Sequence, residues 1–211
     1  MAISNYSELE TALANWLHRS DLTARIPEFV ALAESGLNKA LRLTQMVNQA
    51  NISVTSGSAT ASLPTGFIEV IEFTDDDFEP LVPATNAEIL RLKLETTDDS
   101  KPEYYAIDTA ITFECESDAN YTYLMRYYKK WDIATDSTNW LLTNAPNVYL
   151  YASLAEAAPY TKDMQTAQSW MTMADKAIFD LKRQDKRISG MPTLRMDAGL
   201  YVSRNNILND R

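Results

Sequence analysis

The chain predicts an α+β fold: a helical bundle, made of an N-terminal hairpin and C-terminal helices, with a central β-rich insertion and an extended C-terminal tail. Three observations carry this expectation. Apolar residues recur at steps of three and four in the first forty-odd residues and again after Pro146, as amphipathic helices require. Between about 48 and 130 the pattern changes to short runs bounded by Gly, Pro, Asn and Asp, which mark strands and turns. After Gly190-Met191-Pro192 neither period continues.

The helices are expected over 7–43 and 146–187. Ser7-Glu8-Leu9-Glu10 fits a capping box, followed by Leu9, Leu13, Trp16 and Leu17 at helical spacing. Ser20-Asp21 breaks that run. A second helix starts near Pro27, which is tolerated in a first turn because it has no amide proton to satisfy. Its apolar face is Phe29, Val30, Ala33, Leu37, Ala40 and Leu41.

Asn51 to Thr55 and Ala59 to Leu63, separated by Ser56-Gly57-Ser58, predict two strands joined as a hairpin. Phe67 to Phe73 predicts another, with apolar residues on both faces as in a buried strand. Asp75-Asp76-Asp77 turns the chain. Thr85-Asn86-Ala87-Glu88 is a second capping box and opens a short helix through Ile89, Leu90 and Leu92. Further strands are expected at Glu103 to Ile107, Ala110 to Cys115 and Asn120 to Tyr127. Val148 to Ala158 forms a strongly apolar helix that should stop before Pro159. Lys162 to Lys186 forms another, with Ala167, Trp170, Met171, Ala174, Ile178 and Leu181 on one face.

Charge is divided unevenly. The chain carries −10 overall, yet from Lys182 to Arg211 seven basic residues face three acidic ones, so the first 181 residues carry −14. Such an acidic body opposes adhesion to nucleic acid or to anionic membrane over most of its surface. No apolar run approaches the roughly 20 residues of a membrane helix. The first residues lack a signal peptide's basic and apolar regions, so the protein is expected to stay in the cytoplasm until any assembly step.

Few residue types suited to catalysis are present: one histidine, one cysteine and five isolated glycines. His18 near the end of the first helix reads as structural, with its charge favoured by the helix dipole. Cys115 in a strand-like run reads as a small buried apolar residue. No Cys/His spacing suits zinc, no glycine loop suits phosphate, and Asp75-Asp76-Asp77 and Asp98-Asp99 lack the pattern of a calcium loop. No catalytic, cofactor-binding or metal-binding residues are therefore assigned. Paired carboxylates for a hydrolase are not selected by any spacing, although acids are plentiful. Tyr121, Tyr123, Tyr127, Tyr128 and Trp131 beside Arg126, Lys129 and Lys130, with Tyr104 and Tyr105, have the composition of a platform for stacking single-stranded nucleic acid. A sheet core is the competing reading. The tail spreads large apolar residues among arginines, which suits an arm that orders on a partner, with Leu194, Leu200 and Tyr201 as anchors and Arg195 and Arg204 on acidic sites; a frayed terminus is the competing reading.

The order of parts resembles the head-to-tail adaptor proteins (head-completion or connector proteins) of tailed bacteriophages. The resemblance rests on Leu63-Pro64-Thr65-Gly66-Phe67 leading into a strand, Lys101-Pro102-Glu103-Tyr104-Tyr105 before an Ile107/Ile111 hairpin, and Tyr123-Leu124-Met125-Arg126-Tyr127-Tyr128. Trp140-Leu141-Leu142-Thr143-Asn144-Ala145-Pro146 and the run from Tyr149 to Tyr160 complete it. It covers about residues 1–187 and implies one adaptor-like domain there, with 188–211 as a C-terminal arm.

The resemblance further implies a structural virion protein that catalyses nothing and uses no cofactor. Such a protein forms a homo-oligomeric ring, commonly of twelve copies, beneath the portal protein. It extends the DNA channel and seats the tail or a nozzle or stopper protein. DNA then passes through the lumen without specific binding, and no membrane is involved. The protein is made in the bacterial host cytoplasm and ends at the head-tail junction of the virion. The arm residues expected to reach the portal are Met191, Leu194, Arg195, Met196, Leu200, Tyr201 and Arg204.

Overall fold

The structure, a computed structural model, describes residues 3–95 and 98–188. Helix α1 (Tyr6–Leu17) begins where Asn5 Oδ1 accepts the Glu8 amide at 2.9 Å. The Glu8 carboxylate in turn accepts the Ser4 amide and hydroxyl at 2.7 and 2.8 Å. The cap is thus two residues upstream of the expected Ser7. The Tyr6 amide donates to Ser137 O at 2.8 Å and its ring packs on the helical core, which together set the start of the helix. At the other end His18 takes a left-handed conformation, φ 49°, and a 3-10 segment (Ser20–Arg25) leads into α2 (Ile26–Ala40) with Pro27 in its first turn.

Two short helices that periodicity cannot register, α4 (Ile133–Asp136) and α5 (Trp140–Asn144), precede α6 (Pro146–Tyr160). Helix α6 runs through Pro159 rather than stopping before it. A proline in the last turn removes a single amide, and Thr161 N–H closes the end on Ala157 O at 3.3 Å. Helix α7 (Met164–Ile188) is capped by Asp163. Both α1 and α2 pack against α6, and α6 packs along α7. Leu9, Leu13, Ile26, Val30, Leu141, Leu142, Val148 and Tyr149 form the centre of this helical core. On α7 the buried stripe is Ala167, Ala174, Ala177 and Leu181, and its three alanines let the helices approach. Met171, expected on that face, sits at its margin and is half exposed.

The strands make two sheets. In the first, β7 (Tyr121–Lys129) lies between β1 (Val47–Val54) and β3 (Phe67–Thr74), with both pairings antiparallel. In the second the order is β2 (Thr60–Ala61), β6 (Ile111–Phe113), β5 (Tyr104–Ile107), β4 (Val82–Pro83). Helix α3 (Asn86–Glu95) follows β4 and packs on β5 and β6, with Thr85 Oγ1 accepting the Glu88 amide as its box requires. A second core fills the space between the sheets, including Ile52, Phe73, Tyr105, Phe113, Tyr123 and Met125.

Two strand expectations are corrected. The expected β1–β2 hairpin is absent: β1 pairs with β7 in unbroken register from Val47↔Tyr128 to Val54↔Tyr121, while β2 pairs with β6. An eight-residue ladder to β7 satisfies far more backbone than the two ladder residues of β2 could offer. The turn at Gly57 (φ +76°) therefore carries the chain from one sheet to the other, its amide bonded to Ser117 O at 2.7 Å. Strand β3 is an edge strand, not one buried on both faces. Register shifts interrupt it, and Ile71 is exposed, as suits an edge protected from unwanted pairing.

Gly66 sits just before β3 at φ +74°, where a Cβ would lie 3.2 Å from Lys129 Cγ, while its carbonyl accepts the Lys130 amide at 2.8 Å. Gly66→Ala is expected to destabilise the fold by about 1–2 kcal/mol, the usual cost of a left-handed side chain, read as a lower urea midpoint with unchanged slope.

Candidate assembly surfaces

Glu34 and Asn38 on helix α2 and Arg42 just past its end form a polar row: the first two tie the helix to the chain leaving β7, and Arg42 ties its end to β3 and β7. Glu34 Oε1 accepts the Ile133 amide at 2.9 Å and the Tyr149 hydroxyl at 2.7 Å. Asn38 accepts the Trp131 amide and donates to the Trp131 carbonyl, each at 2.9 Å. Arg42 Nε donates to Glu69 Oε2 at 2.8 Å, and its guanidinium lies 5.8 Å from the centre of the Tyr128 ring. Burial pushes the Glu34 carboxyl above the usual carboxylate range, although both hydrogen bonds oppose the shift. Burial, then the Glu34 charge, raises the Tyr149 hydroxyl too. A cleft of about 470 Å³ runs along this stripe, floored by Val30, Ile68 and Trp131.

A second cleft, about 520 Å³, opens where α7 ends beside the α2–β1 link, walled by Leu43, Phe179, Lys182, Arg183 and Lys186. Asp185 holds its edge by accepting the Thr44 amide at 3.1 Å. Phe179 is 63% exposed here, beside Lys182, Arg183 and Lys186, all exposed.

Acid is concentrated elsewhere. Residues 47–129 hold 15 acidic and 5 basic side chains, a net −10 that equals the charge of the whole chain, so the remaining residues sum to zero. Asp75, Asp76 and Asp77 bring their carboxylates within 4.8 Å of one another. Lys101 supplies a cation to this turn, its Nζ 2.7 Å from Asp75 and 3.4 Å from Asp76, and so draws the Asp75 carboxyl below its ordinary value. Asp98, Asp99 and Glu116 line an acidic hollow beside Cys115, which is buried and accepts a bond from Ser100 Oγ at 3.3 Å. On α3 the side chains of Leu90 and Leu94, one turn apart, are 63% and 79% exposed.

The tyrosine-rich strand does not form a stacking platform. Tyr123 and Tyr127 point into the core because alternation on β7 sends every second residue between the sheets, and Tyr105 of β5 is buried in the same core. Tyr123 packs 5.6 Å from Phe73 and 5.8 Å from Phe113, and its hydroxyl donates to Pro102 O at 3.1 Å. The seven expected arm residues, Met191 to Arg204, lie outside the described residues. What the structure places at the root of that arm is the basic last turn of α7, with Lys186 and Arg187. No helix among the described residues is long and apolar enough to cross a membrane.

Sequence reasoning missed the α2 stripe. Its signal was available as polar residues four apart on the flank of an apolar face, but their partners lie up to 115 residues away in the chain. A family model described as SU10 adaptor protein matches residues 4–197. No curated protein matches the chain.

Proposed function

The chain belongs to the SU10 adaptor protein family, an adaptor family of phage head-to-tail connection, and from that premise we propose that it assembles as a ring on the portal. It is a phage structural protein of the virion that interacts with portal and tail components. In the proposed ring of twelve copies, residues 1–187 make the body and 188–211 the arm that reaches the portal. The ring extends the DNA channel, seats the tail and catalyses nothing. The observation that carries this reading is a family match spanning nearly the whole chain. Charge supports it: a strand unit of −10 facing a lumen would repel phosphate rather than grip it, so DNA would pass freely.

Two other readings find less support. A single-strand binder needs exposed rings, whereas the central tyrosines of β7 are buried. A carboxylate-based hydrolase calls for at least two acids of raised pKa in one pocket. Among the described residues Glu34 alone is raised, and its bonds to Ile133 and Tyr149 give it a structural task.

Mixing the purified protein with portal rings from the same genome and weighing the product tests the reading. Full-length chain is expected to load stoichiometrically and a chain ending at Lys186 to load little. Equal loading by both would keep the adaptor and discard the arm's role. Absence of loading at any salt concentration would overturn the ring-on-portal reading.

A further inference from the structure

We propose that neighbouring copies in the ring join head to tail, the basic end of α7 on one copy docking against the α3 side of the acidic strand unit on the next. The inference rests on the ring reading and names the surfaces that would close it.

The first surface is the cleft at the end of α7. Lys182, Arg183 and Lys186 make no ion pair among the described residues, whereas Arg42 beside them is already held by Glu69. Phe179, one turn before Lys182 and Arg183, gives this basic surface an exposed aromatic centre. An exposed aromatic rimmed by unpaired cations is the composition of a contact surface rather than of a solvated helix end.

A second copy of this chain carries the complementary surface. Leu90 and Leu94 project from α3 as its most exposed large apolar side chains, and Asp98 and Asp99 follow shortly after the helix. Neither aspartate has an ion-pair partner among the described residues. Leucines can cover Phe179 while the aspartates meet Lys182, Arg183 and Lys186. The strand unit's −10 adds a wider field that draws a basic patch toward it.

The two surfaces lie on different elements, and made once per pair the contact between them is heterologous. It leaves one of each free on every pair and propagates until a ring closes. A two-fold dimer that engaged both pairs of surfaces at once would leave neither free and so could not build a ring.

The test reads copies loaded per portal ring by native mass, using the full chain throughout. K182E/R183E/K186E and D98K/D99K are each expected to raise the half-saturating concentration at least about tenfold, because each sets like charges across the contact. All five positions are exposed, and circular dichroism checks that both variants fold. A one-to-one mixture should restore full loading, since the α7 end reversed by K182E/R183E/K186E then meets the surface reversed by D98K/D99K on the other variant. Loading by each variant alone at wild-type concentration would overturn the proposal. So would folded variants whose mixture fails to recover. Failure of the unaltered chain to load would overturn the ring reading itself, a result distinguishable from either.

Discussion

Phe113→Ala is expected to cost about 3–5 kcal/mol, the range of a fully buried aromatic removed without collapse of its site. Phe113 is wholly buried and sits between the sheets, 5.8 Å from Tyr123 and 6.4 Å from Phe73. Its backbone is fixed on both sides, paired with Tyr105 across the ladder and bonded to Ala59 O at 2.9 Å, so little can move to fill the void. Phe113→Leu should recover a large part of the loss. All four tryptophans (16, 131, 140 and 170) lie outside the strand unit. If the α2 stripe couples the two cores, the midpoint seen by tryptophan fluorescence in urea should fall together with that seen by far-ultraviolet circular dichroism. Separate transitions would show that the cores melt independently.

Glu34 should separate acceptor from charge. Glu34→Ala leaves the Ile133 amide and the buried Tyr149 hydroxyl proton without their acceptor and is expected to destabilise by about 2–4 kcal/mol, from about 1–3 for each orphaned donor; Asn139 cannot substitute, because its amide donates to the Tyr149 oxygen. Glu34→Gln keeps an oxygen for both donors and removes the buried charge. It should match or exceed the unaltered protein at neutral pH. The sign of the pH effect follows from burial. With its folded-state pKa above the unfolded value, Glu34 binds its proton more tightly when folded, so stability declines as pH rises from the unfolded value through the raised one. The glutamine variant should lose that slope. Asp75 works the other way: held by Lys101, it contributes stability above its unfolded pKa that is lost as pH falls through the depressed one. An unaltered slope in Glu34→Gln would refute the assignment.

Local pattern revealed α2, α3, α6, α7 and the strands β5 to β7, because each announces itself within a few residues through a cap, a period or a turn. It misplaced whatever depends on distant partners. Ser7 and Asn5 are both acceptable caps; the Tyr6 amide's bond to Ser137 chooses between them. Asn51 to Thr55 read as half of a local hairpin because nothing nearby announced β7, some seventy residues on. The tyrosines of β7 alternate in the way a stacking surface and a core strand share, and burial alone decides. For the candidate site, the basic end of α7 was legible as charge, but the cleft beside it needs Leu43 folded against Phe179.

The three ties along α2 also have a mechanical meaning. Glu34 and Asn38 stand one turn apart on α2 and Arg42 follows just past its end, and their bonds reach Ile133, Trp131 and Glu69. A pull that slides one unit along the other would therefore strain all of them together, as a row of rivets shares a shearing force, instead of parting them one at a time like a zip.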